Sequence, residues 1–457
     1  MKVSRKKILF AVSIALFISL TYFLFNLNHL SRFVDSDIFA YTSNVEGGRA
    51  ENLFNPHHIL FDYSGYVFYQ LTRDIDNLGA SVLYNQRLKV LIVGSLGLAI
   101  IFLFLFFLSG RILLSLFISL LIVFSRGYIS YTTLNDTPLI HTVLCLILFF
   151  LLNYYSKTRF KKSYAVFLGI FHALVVFFHQ ANVIFFPVSI FFLLFSNREI
   201  EIKKRLLHCT LYSLTLIIII SAVYLYIGLF VIKTSLTGGQ EITYFNIKGT
   251  GNFFRWLSFY ANKGVWGAGL EGNSLNKIVF GFMGAFIQGN SAIPYRGHYF
   301  DFADFFSERY LPLNITLFVI ILSIIGFIIL FKKLYRKHGA IMGSLAIWFA
   351  GYFIFFAWWE PDYFEFWLLS ASTVFIILFF VINYCLDVFK ETFVRKKIIN
   401  GLVFLFLGLY LLVITHFNYV YLVYPRSVQP VFGWLGIFKE RSLQLNHDKM
   451  YRNLPIK

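Results

Sequence analysis

Two aspartates, Asp35 and Asp37, follow the first long apolar run of the chain with a single serine between them. A structural interpretation is a solvated helix end, because an ionised carboxylate is cheap at a membrane interface and costs at least about 2.5–3.5 kcal/mol at the bilayer centre. The chemical interpretation is a general base beside a second carboxylate. Crowded like charges raise the pKa of one carboxyl group, which suits a base that removes a hydroxyl proton.

Two adjacent histidines, His57 and His58, follow Asn55 and Pro56 further along the same segment. Neighbouring side chains on a helix point about a hundred degrees apart, so the pair is a poor chelate for one metal ion. At a membrane surface an imidazole can instead hydrogen-bond to a phosphate or a sugar. Three roles therefore stay open for the pair: phosphate or sugar binding, a structural role and, least favoured, metal binding.

A third polar group lies late in the chain, where aromatic residues alternate with acids between positions 358 and 367. Aromatic belts at membrane interfaces are routine, and that interpretation accounts for the rings alone. Three acids in so short a turn favour sugar binding, with rings stacked on the sugar faces and hydrogen bonds to the carboxylates. The candidate residues are Trp359, Glu360, Asp362 and Glu365.

The rest of the sequence determines what must hold these residues in place. Of 457 residues, 58% are hydrophobic and only 14% are charged, against roughly 25% charged in an average soluble domain. Apolar runs long enough to cross a bilayer recur along most of the chain. This pattern excludes a soluble enzyme, a disordered protein and a secreted disulfide scaffold, and a membrane β-barrel would show short alternating segments instead. We predict an all-α polytopic membrane protein.

We expect about eleven transmembrane helices, each formed by one apolar run. They lie near residues 8–29, 89–109, 112–125, 138–155, 164–180, 182–196, 208–232, 312–331, 339–358, 364–386 and 398–418. The third and sixth are short for a span and could be tilted, broken or partly re-entrant. Two histidines inside these runs, His141 and His172, are assigned to hydrogen bonds between helices.

Positive charge predicts the orientation, because cytoplasmic connections carry an excess of lysine and arginine. Five short segments hold four basic residues each, and all fall on one side of an eleven-helix chain. We therefore expect an integral protein of the inner cell membrane with its N-terminus in the cytoplasm. Of 22 acidic residues, 16 fall in segments placed outside before the C-terminal tail, so chemistry that needs carboxylates belongs there. The basic residues of the cytoplasmic segments account for much of the net charge of +18, so this charge does not require a nucleic-acid partner.

The chain divides into one transmembrane domain, residues 1–424, and an extracytoplasmic C-terminal tail, residues 425–457. Two long extracytoplasmic loops interrupt the domain, at residues 30–88 and 233–311. Loops of this length are usually functional or carry structure of their own. Amphipathic stretches within them predict helices that lie along the membrane surface.

The motifs and the topology together resemble the GT-C superfamily of integral-membrane glycosyltransferases, which includes protein O-mannosyltransferases, aminoarabinose transferases and many bacterial relatives. Asp35 and Asp37 match the paired-acid motif that follows the first helix in this superfamily, and His57 and His58 resemble its Pro-His segment. The turn around Glu360 resembles the outer, acid-containing turn before a late helix. The resemblance implies a one-step inverting displacement, with Asp35 as the base and Asp37 orienting the acceptor or holding a divalent cation where one is used.

The topology restricts the class of sugar donor, because nucleotide sugars are cytoplasmic and the acid pair is placed outside. A polyprenyl-phosphate-linked sugar crosses the membrane and fits this placement, whereas the acceptor stays open between a lipid, a glycan and a protein. The leaving phosphate needs cationic or hydrogen-bond donors. For any one basic residue, ordinary snorkelling to the interface is the alternative. The outer-side candidates are Arg87, Lys89, Arg126, His179, Arg296 and Arg309.

Two other membrane functions remain open. A flippase or transporter of polyprenyl-linked saccharides would carry charged residues inside its helices, along a path, and the apolar runs here carry almost none. An O-antigen-type ligase or polymerase would depend on outer arginines and histidines more than on an acid pair after the first helix.

Overall fold

The computed structural model is a bundle of helices. It describes residues 4–33, 36–75, 81–157, 161–196, 199–234, 236, 253–257, 274–287, 311–359, 361, 364–388 and 393–428. Across these residues the regular structure is entirely helical, with no β-strand. The predicted all-α class is therefore confirmed.

Eighteen α-helices follow one another along the described chain. They are α1 (Arg5–Leu27), α2 (Ser36–Gly47), α3 (Ala50–Leu53), α4 (Phe61–Thr72), α5 (Val82–Ser109), α6 (Ile112–Val123), α7 (Arg126–Thr132), α8 (Pro138–Lys157), α9 (Lys162–Phe178), α10 (Phe186–Phe195), α11 (Ile202–Leu225), α12 (Phe253–Leu257), α13 (Ser274–Gly284), α14 (Leu311–His338), α15 (Ala340–Trp359), α16 (Leu368–Val388), α17 (Phe393–Asn418) and α18 (Tyr424–Val428). A 3₁₀ turn, Gln180–Phe185, precedes α10, and π-helical turns extend α11 and α17.

Eight helices of the described chain are long and apolar enough to cross a membrane. A ninth span results when α6 and α7, which meet at an angle of 69°, are taken as one broken span. Two shorter apolar helices, Lys162–Phe178 and Gln180–Phe195, are the only further candidates among the described residues. A multi-pass membrane protein is thus established, whereas the count of eleven requires both shorter helices and stays a prediction.

The break between α6 and α7 matches the predicted short third span, and its backbone groups are satisfied by distant residues. The amide N–H groups of Arg126 and Gly127 donate to the carbonyls of Phe286 and Ala285, each at 2.9 Å. The side-chain amide of Asn418 donates to the carbonyls of Phe124 and Phe286 at 2.8 and 3.0 Å. Such partners are necessary because bilayer hydrocarbon offers no water to exposed backbone groups.

The first helix packs against α5 through small side chains. Ala11 and Ala15 are buried against Ala99 and Phe102, and the hydroxyl of Ser19 donates to a carbonyl of α5 at 2.7 Å. Small residues let the two backbones approach closely, which is how helices associate where lipid removes the hydrophobic driving force. The rest of the α1 surface exposes leucine and phenylalanine to the lipid. This packing fixes the helix end from which residues 28–33 depart.

One expectation about helix position changes. The second span begins at Val82, not near residue 89, so Arg87 and Lys89 lie inside α5 and are buried there. The first long loop contains three helices, α2 to α4, and the second contains α12 and α13, in agreement with the amphipathic stretches seen in the sequence. Most of the C-terminal tail lies outside the described residues.

The packing of α1 predicts a position-dependent effect of added volume. Ala15 is only 1% exposed, so Ala15→Leu forces apart α1 and α5 and should cost about 1–3 kcal/mol. Ser13 faces outward on the same helix, and Ser13→Leu should leave stability unchanged or raise it. Thermal melting of the two variants in detergent compares them. Equal melting temperatures would contradict this packing.

Candidate functional site

Four buried histidines from separate parts of the chain meet at one end of the bundle. His57 and His58 precede α4, His141 lies in the first turn of α8 and His179 follows α9. The ring centroids of His57 and His179 are 4.1 Å apart, and those of His179 and His141 are 4.6 Å apart. We call these four residues the histidine cluster. The sequence predicted the pair His57 and His58, and separately His179, as candidates, and it assigned His141 to hydrogen bonds between helices.

Backbone hydrogen bonds hold the histidine pair against the end of α9. The amide of Gln180 donates to the carbonyl of His57 at 2.8 Å, and that of Leu60 donates to the carbonyl of Phe177 at 3.0 Å. The hydroxyl of Tyr224 donates to the carbonyl of Pro56 at 2.9 Å. Residues 56–60 are therefore fastened on both sides, which fixes the two rings.

The histidines before α4 are uncharged at neutral pH. Burial lowers the pKa of His57 well below its usual range, and the neighbouring His58 and His141 lower it further. Burial likewise lowers the pKa of His58 to about 3. A neutral imidazole keeps one N–H donor and one acceptor nitrogen.

One ring nitrogen of the histidine cluster, Nε2 of His179, is buried without a hydrogen-bond partner within the described residues. His141 hydrogen-bonds to the Asn182 side chain, and His58 to its own backbone. A buried polar atom without a partner is costly, so it marks a place where a polar ligand or water is expected. Within the same part of the chain, no group of three or more His, Cys, Asp or Glu side chains is arranged to bind a metal ion.

The late aromatic turn closes over the histidine cluster. The Trp359 ring centroid lies 5.4 Å from that of His57, and the Phe366 centroid lies 6.3 Å from that of His179. The indole N–H of Trp359 is buried without a hydrogen-bond partner in the described structure. The predicted Trp359 segment and the predicted histidines thus lie against one another.

A buried arginine and a carboxylate lie on the short helix α7 and the same aromatic turn. The Arg126 guanidinium is 3.9 Å from the Phe364 ring centroid, a cation–π contact, and Arg126 is only 5% exposed. The hydroxyl of Tyr131 donates to the Glu365 carboxylate at 2.5 Å. The α7 helix therefore brings together two residues that the sequence singled out far apart.

Arg87 and Lys89 face different surroundings. Arg87 donates from Nη2 to the carbonyl of Phe33 at 2.7 Å, so it anchors the segment that leads into the aspartate pair. Lys89 instead lies 4.2 Å from the Phe61 ring centroid, close to the buried carboxyl of Asp62. Burial raises the pKa of Asp62, whose carboxylate accepts from the Asn44 amide at 2.9 Å.

Asp37 is partly buried in the first turn of α2, where a carboxylate is favoured by the helix dipole. The segment before it is tied to the end of α7 by a hydrogen bond from the Ser31 amide to the Thr133 carbonyl, 3.3 Å long. Asp136, three residues further on, is only 8% exposed. The sequence counted Asp136 merely as one of many outer acids, because no local motif distinguishes it.

Other predicted residues lie outside the described part of the chain. They are Asp35, Arg296, Arg309, Glu360 and Asp362. The prediction for His172 is confirmed, since its ring nitrogens hydrogen-bond to Tyr212 of another helix and, at 2.9 Å, to the Asn182 carbonyl.

No protein-family model matches the chain, and no curated protein sequence matches it either. Solved structures do resemble it. The oligosaccharyltransferase AglB from Archaeoglobus fulgidus, in complex with an inhibitory peptide and a dolichol-phosphate, has a TM-score of 0.52 and 14% identity, covering 98% of this chain and 58% of that one. ArnT from Cupriavidus metallidurans, bound to undecaprenyl phosphate, has a TM-score of 0.49 and 12% identity, covering 88% of this chain and 64% of that one.

Both of these proteins are GT-C glycosyltransferases. The chain spans less than two thirds of the length of either one. At such low identity the likeness to AglB shows the fold alone, and it shows that this chain has the GT-C fold.

The buried, neutral histidines predict a loss of stability in acid. The unfolded chain takes up a proton near pH 6.5, whereas folded His58 resists it down to about pH 3. Stability is therefore complete above pH 6.5 and is lost as the pH falls through this range, by up to about 1.4 kcal/mol per pH unit for each such group.

Thermal melting in detergent between pH 7.5 and 5 measures this effect. The variant His58→Gln keeps a polar group but takes up no proton, so its melting temperature should fall less steeply with acid than that of the wild type. His416 is exposed on α17, and His416→Gln should leave the slope unchanged. Identical slopes for the wild type and His58→Gln would show that His58 is not buried in its neutral form.

Proposed function

We propose that this chain is a glycosyltransferase that moves a sugar from a polyprenyl-phosphate-linked donor to an acceptor outside the cytoplasm. One observation carries the proposal: buried hydrogen-bond donors converge at the end of the bundle where the aspartate pair follows the first helix. The GT-C fold agrees with it. The AglB structure holds a dolichol-phosphate, which supports a lipid phosphate as the carrier here.

In the proposed reaction, Asp35 takes the proton from an acceptor hydroxyl as the hydroxyl oxygen attacks the anomeric carbon of the sugar. The bond between that carbon and the phosphate oxygen breaks on the opposite side, which inverts the configuration. The lipid phosphate leaves with the bonding electrons. Asp37, fixed by its place in the first turn of α2, orients the acceptor.

Stabilisation of the leaving phosphate is assigned to Arg126 and the histidine cluster. The Arg126 guanidinium is held over the Phe364 ring and so is oriented before the substrate binds. Pre-oriented donors in a site from which water is excluded lower the barrier most where charge develops. The neutral imidazoles add N–H donors without a further positive charge.

The remaining assignments are parts of the same proposal. Trp359 and Glu365 bind the sugar by stacking and hydrogen bonding, and Arg87 positions the aspartate pair through the Phe33 carbonyl. The acceptor is a lipid, a glycan or a protein. The N-terminus lies in the cytoplasm and the C-terminus outside, in the inner membrane of the cell.

Where the reaction uses a divalent cation, the described residues at this end of the bundle offer it single oxygen ligands and no preformed group of three. Carboxylate and amide oxygens are what Mg²⁺ and Mn²⁺ prefer, and the side-chain oxygen of Asn135, next to Asp136, is buried without a hydrogen-bond partner in the described structure. Asp37 would hold the cation, which would neutralise charge on the phosphate.

The aspartate pair is tested by turnover of radiolabelled polyprenyl-phosphate sugars with purified protein in detergent. Asp35→Asn and Asp37→Asn should each lower the transfer rate by roughly 10²–10⁴-fold, the usual contribution of a positioned acid or base. Glu46 is an exposed acid at the end of the same helix α2, and Glu46→Gln should retain activity. If the wild type binds these lipids without turnover and both Asp variants bind them equally well, a flippase replaces the transferase as the preferred function.

The role of Arg126 is tested separately from that of the base. Arg126→Gln should lower kcat by about 10²–10³-fold, because it removes a donor to the developing phosphate charge. Arg73 is exposed in the same extracytoplasmic segment as α4, and Arg73→Gln serves as the control for loss of one positive charge. An unchanged kcat with a raised KM in Arg126→Gln would assign Arg126 to ground-state binding of the lipid.

A further inference from the structure

A cavity of about 540 Å³ lies at the end of the bundle opposite the histidine cluster. Its walls come from the start of α1, the turn between α5 and α6, and the adjoining ends of α14, α16 and α17. This volume is within the range of sites for small molecules, about 300–1,000 Å³. The helix α5 separates the two ends: Arg87 and Ser109 are 22 residues apart on it, about 33 Å along a helix.

The charge of the cavity is strongly positive. Lys7, Arg111 and Lys337 line it, and Asp387 is the single acid among the described residues that line it. Arg111 donates from Nη2 to the Asp387 carboxylate at 2.7 Å, and Lys337 pairs with the other oxygen of the same carboxylate. One carboxylate therefore holds two cations in place and neutralises only one of them.

Lys7 contributes a charge that has no acidic partner in the described structure. Its ammonium donates to the carbonyl of Gly110 at 2.6 Å. Gly110 ends α5 with a positive φ of 69°, a backbone conformation that glycine adopts without strain. Because of this sharp turn, α6 begins two residues after Gly110. The backbone amides of its first turn have no partner within the helix, and they also border the cavity.

A polar side chain on the cavity wall has an unused acceptor. Asn383 is only 4% exposed, and its side-chain oxygen has no hydrogen-bond partner in the described structure. A ligand that carries a hydroxyl or ammonium group beside its anionic part would satisfy this oxygen. A bare anion would not.

One part of the cavity wall is apolar and extends to the lipid-facing surface of the bundle. Leu108, Leu386 and Phe404 line it, and Leu113, which also lines it, is 55% exposed on the outer surface of the bundle. A ligand with a charged head and an acyl chain would therefore place each part against matching residues.

We propose that this cavity binds a phosphate-ester anion, and that the adjoining leaflet of the membrane supplies it as the headgroup of an anionic glycerophospholipid. The phosphodiester lies between Lys7 and the Arg111–Lys337 pair, a headgroup hydroxyl donates to Asn383, and an acyl chain leaves past Leu113. A phosphatidylglycerol has all three features. The bound lipid joins the helix ends that line the cavity and stabilises the bundle, and this proposal does not depend on the proposed transferase activity.

Binding is measured on the full-length protein in detergent by thermal shift and by native mass spectrometry. The probes are dihexanoyl phosphatidylglycerol, dihexanoyl phosphatidylcholine, glycerol phosphate and inorganic phosphate. Phosphatidylglycerol should raise the melting temperature in a saturable manner, and the zwitterionic phosphatidylcholine should not. Equal effects of the two lipids would overturn the proposal. Saturable binding of glycerol phosphate or inorganic phosphate without binding of the lipid would overturn the assignment to the membrane.

Paired charge variants give the second arm of the experiment. Lys7→Gln with Lys337→Gln should weaken phosphatidylglycerol binding at least about tenfold, or about 1.4 kcal/mol, and leaves the Arg111–Asp387 pair intact. Lys6→Gln with Lys333→Gln removes the same charge from neighbouring exposed positions that do not line the cavity, and should bind as the wild type does. If the first double variant folds poorly, Lys7→Gln alone is compared with Lys6→Gln. Equal affinity within either comparison would refute the cavity site.

Discussion

Backbone that leaves helical geometry inside a membrane must find partners within the protein, and this constraint organises the functional end of the bundle. The break between α6 and α7 frees the amides of Arg126 and Gly127, which donate to the carbonyls of Phe286 and Ala285. Asn418, near the end of the last span, donates to the carbonyl of Phe124 at the end of α6 and to the carbonyl of Phe286. We call this meeting point of the three segments the junction. Segments almost three hundred residues apart in sequence are thereby held together at one point.

The rest of the site takes its position from this junction. Tyr22 near the end of α1 donates to the carbonyl of Val123 at 3.1 Å and to the hydroxyl of Thr132 at 3.2 Å. The Ser31 amide then bonds to the Thr133 carbonyl, so the chain that leads to the aspartate pair is aligned on α7. Because Arg126 begins α7, the same helix carries the buried guanidinium. The positions of the segment that leads to Asp37 and of the Arg126 guanidinium therefore both depend on one broken span.

The sequence predicts the parts of this structure that depend on local pattern. Continuous apolar runs predict the helices, and the short third run predicts a span that is tilted, broken or partly re-entrant, because each depends on length and composition within a few residues. The site is different. Nothing near His141 in the sequence distinguishes it, since its place beside His179 comes only from tertiary packing. Arg87 was predicted at a helix start and is buried within α5, because α4 covers a first turn that apolarity alone does not reveal.

The two ends of the bundle differ in whether their basic side chains are charged or neutral, and the difference follows from burial. At the end of the bundle that contains Lys7, Arg111 and Lys337 are partly exposed and share the Asp387 carboxylate. The free-energy cost of desolvating their charges is therefore small. At the other end, the histidine cluster is buried, and an isolated ionised group there would carry a large desolvation penalty. Histidine meets this condition, because it releases its proton and still keeps an N–H donor. The Arg126 guanidinium stays charged and lies against the Phe364 ring, whose π face compensates part of the lost hydration. A site of one fixed cation surrounded by neutral donors would bind a phosphate through directed hydrogen bonds while limiting the total positive charge, which also lets the product leave.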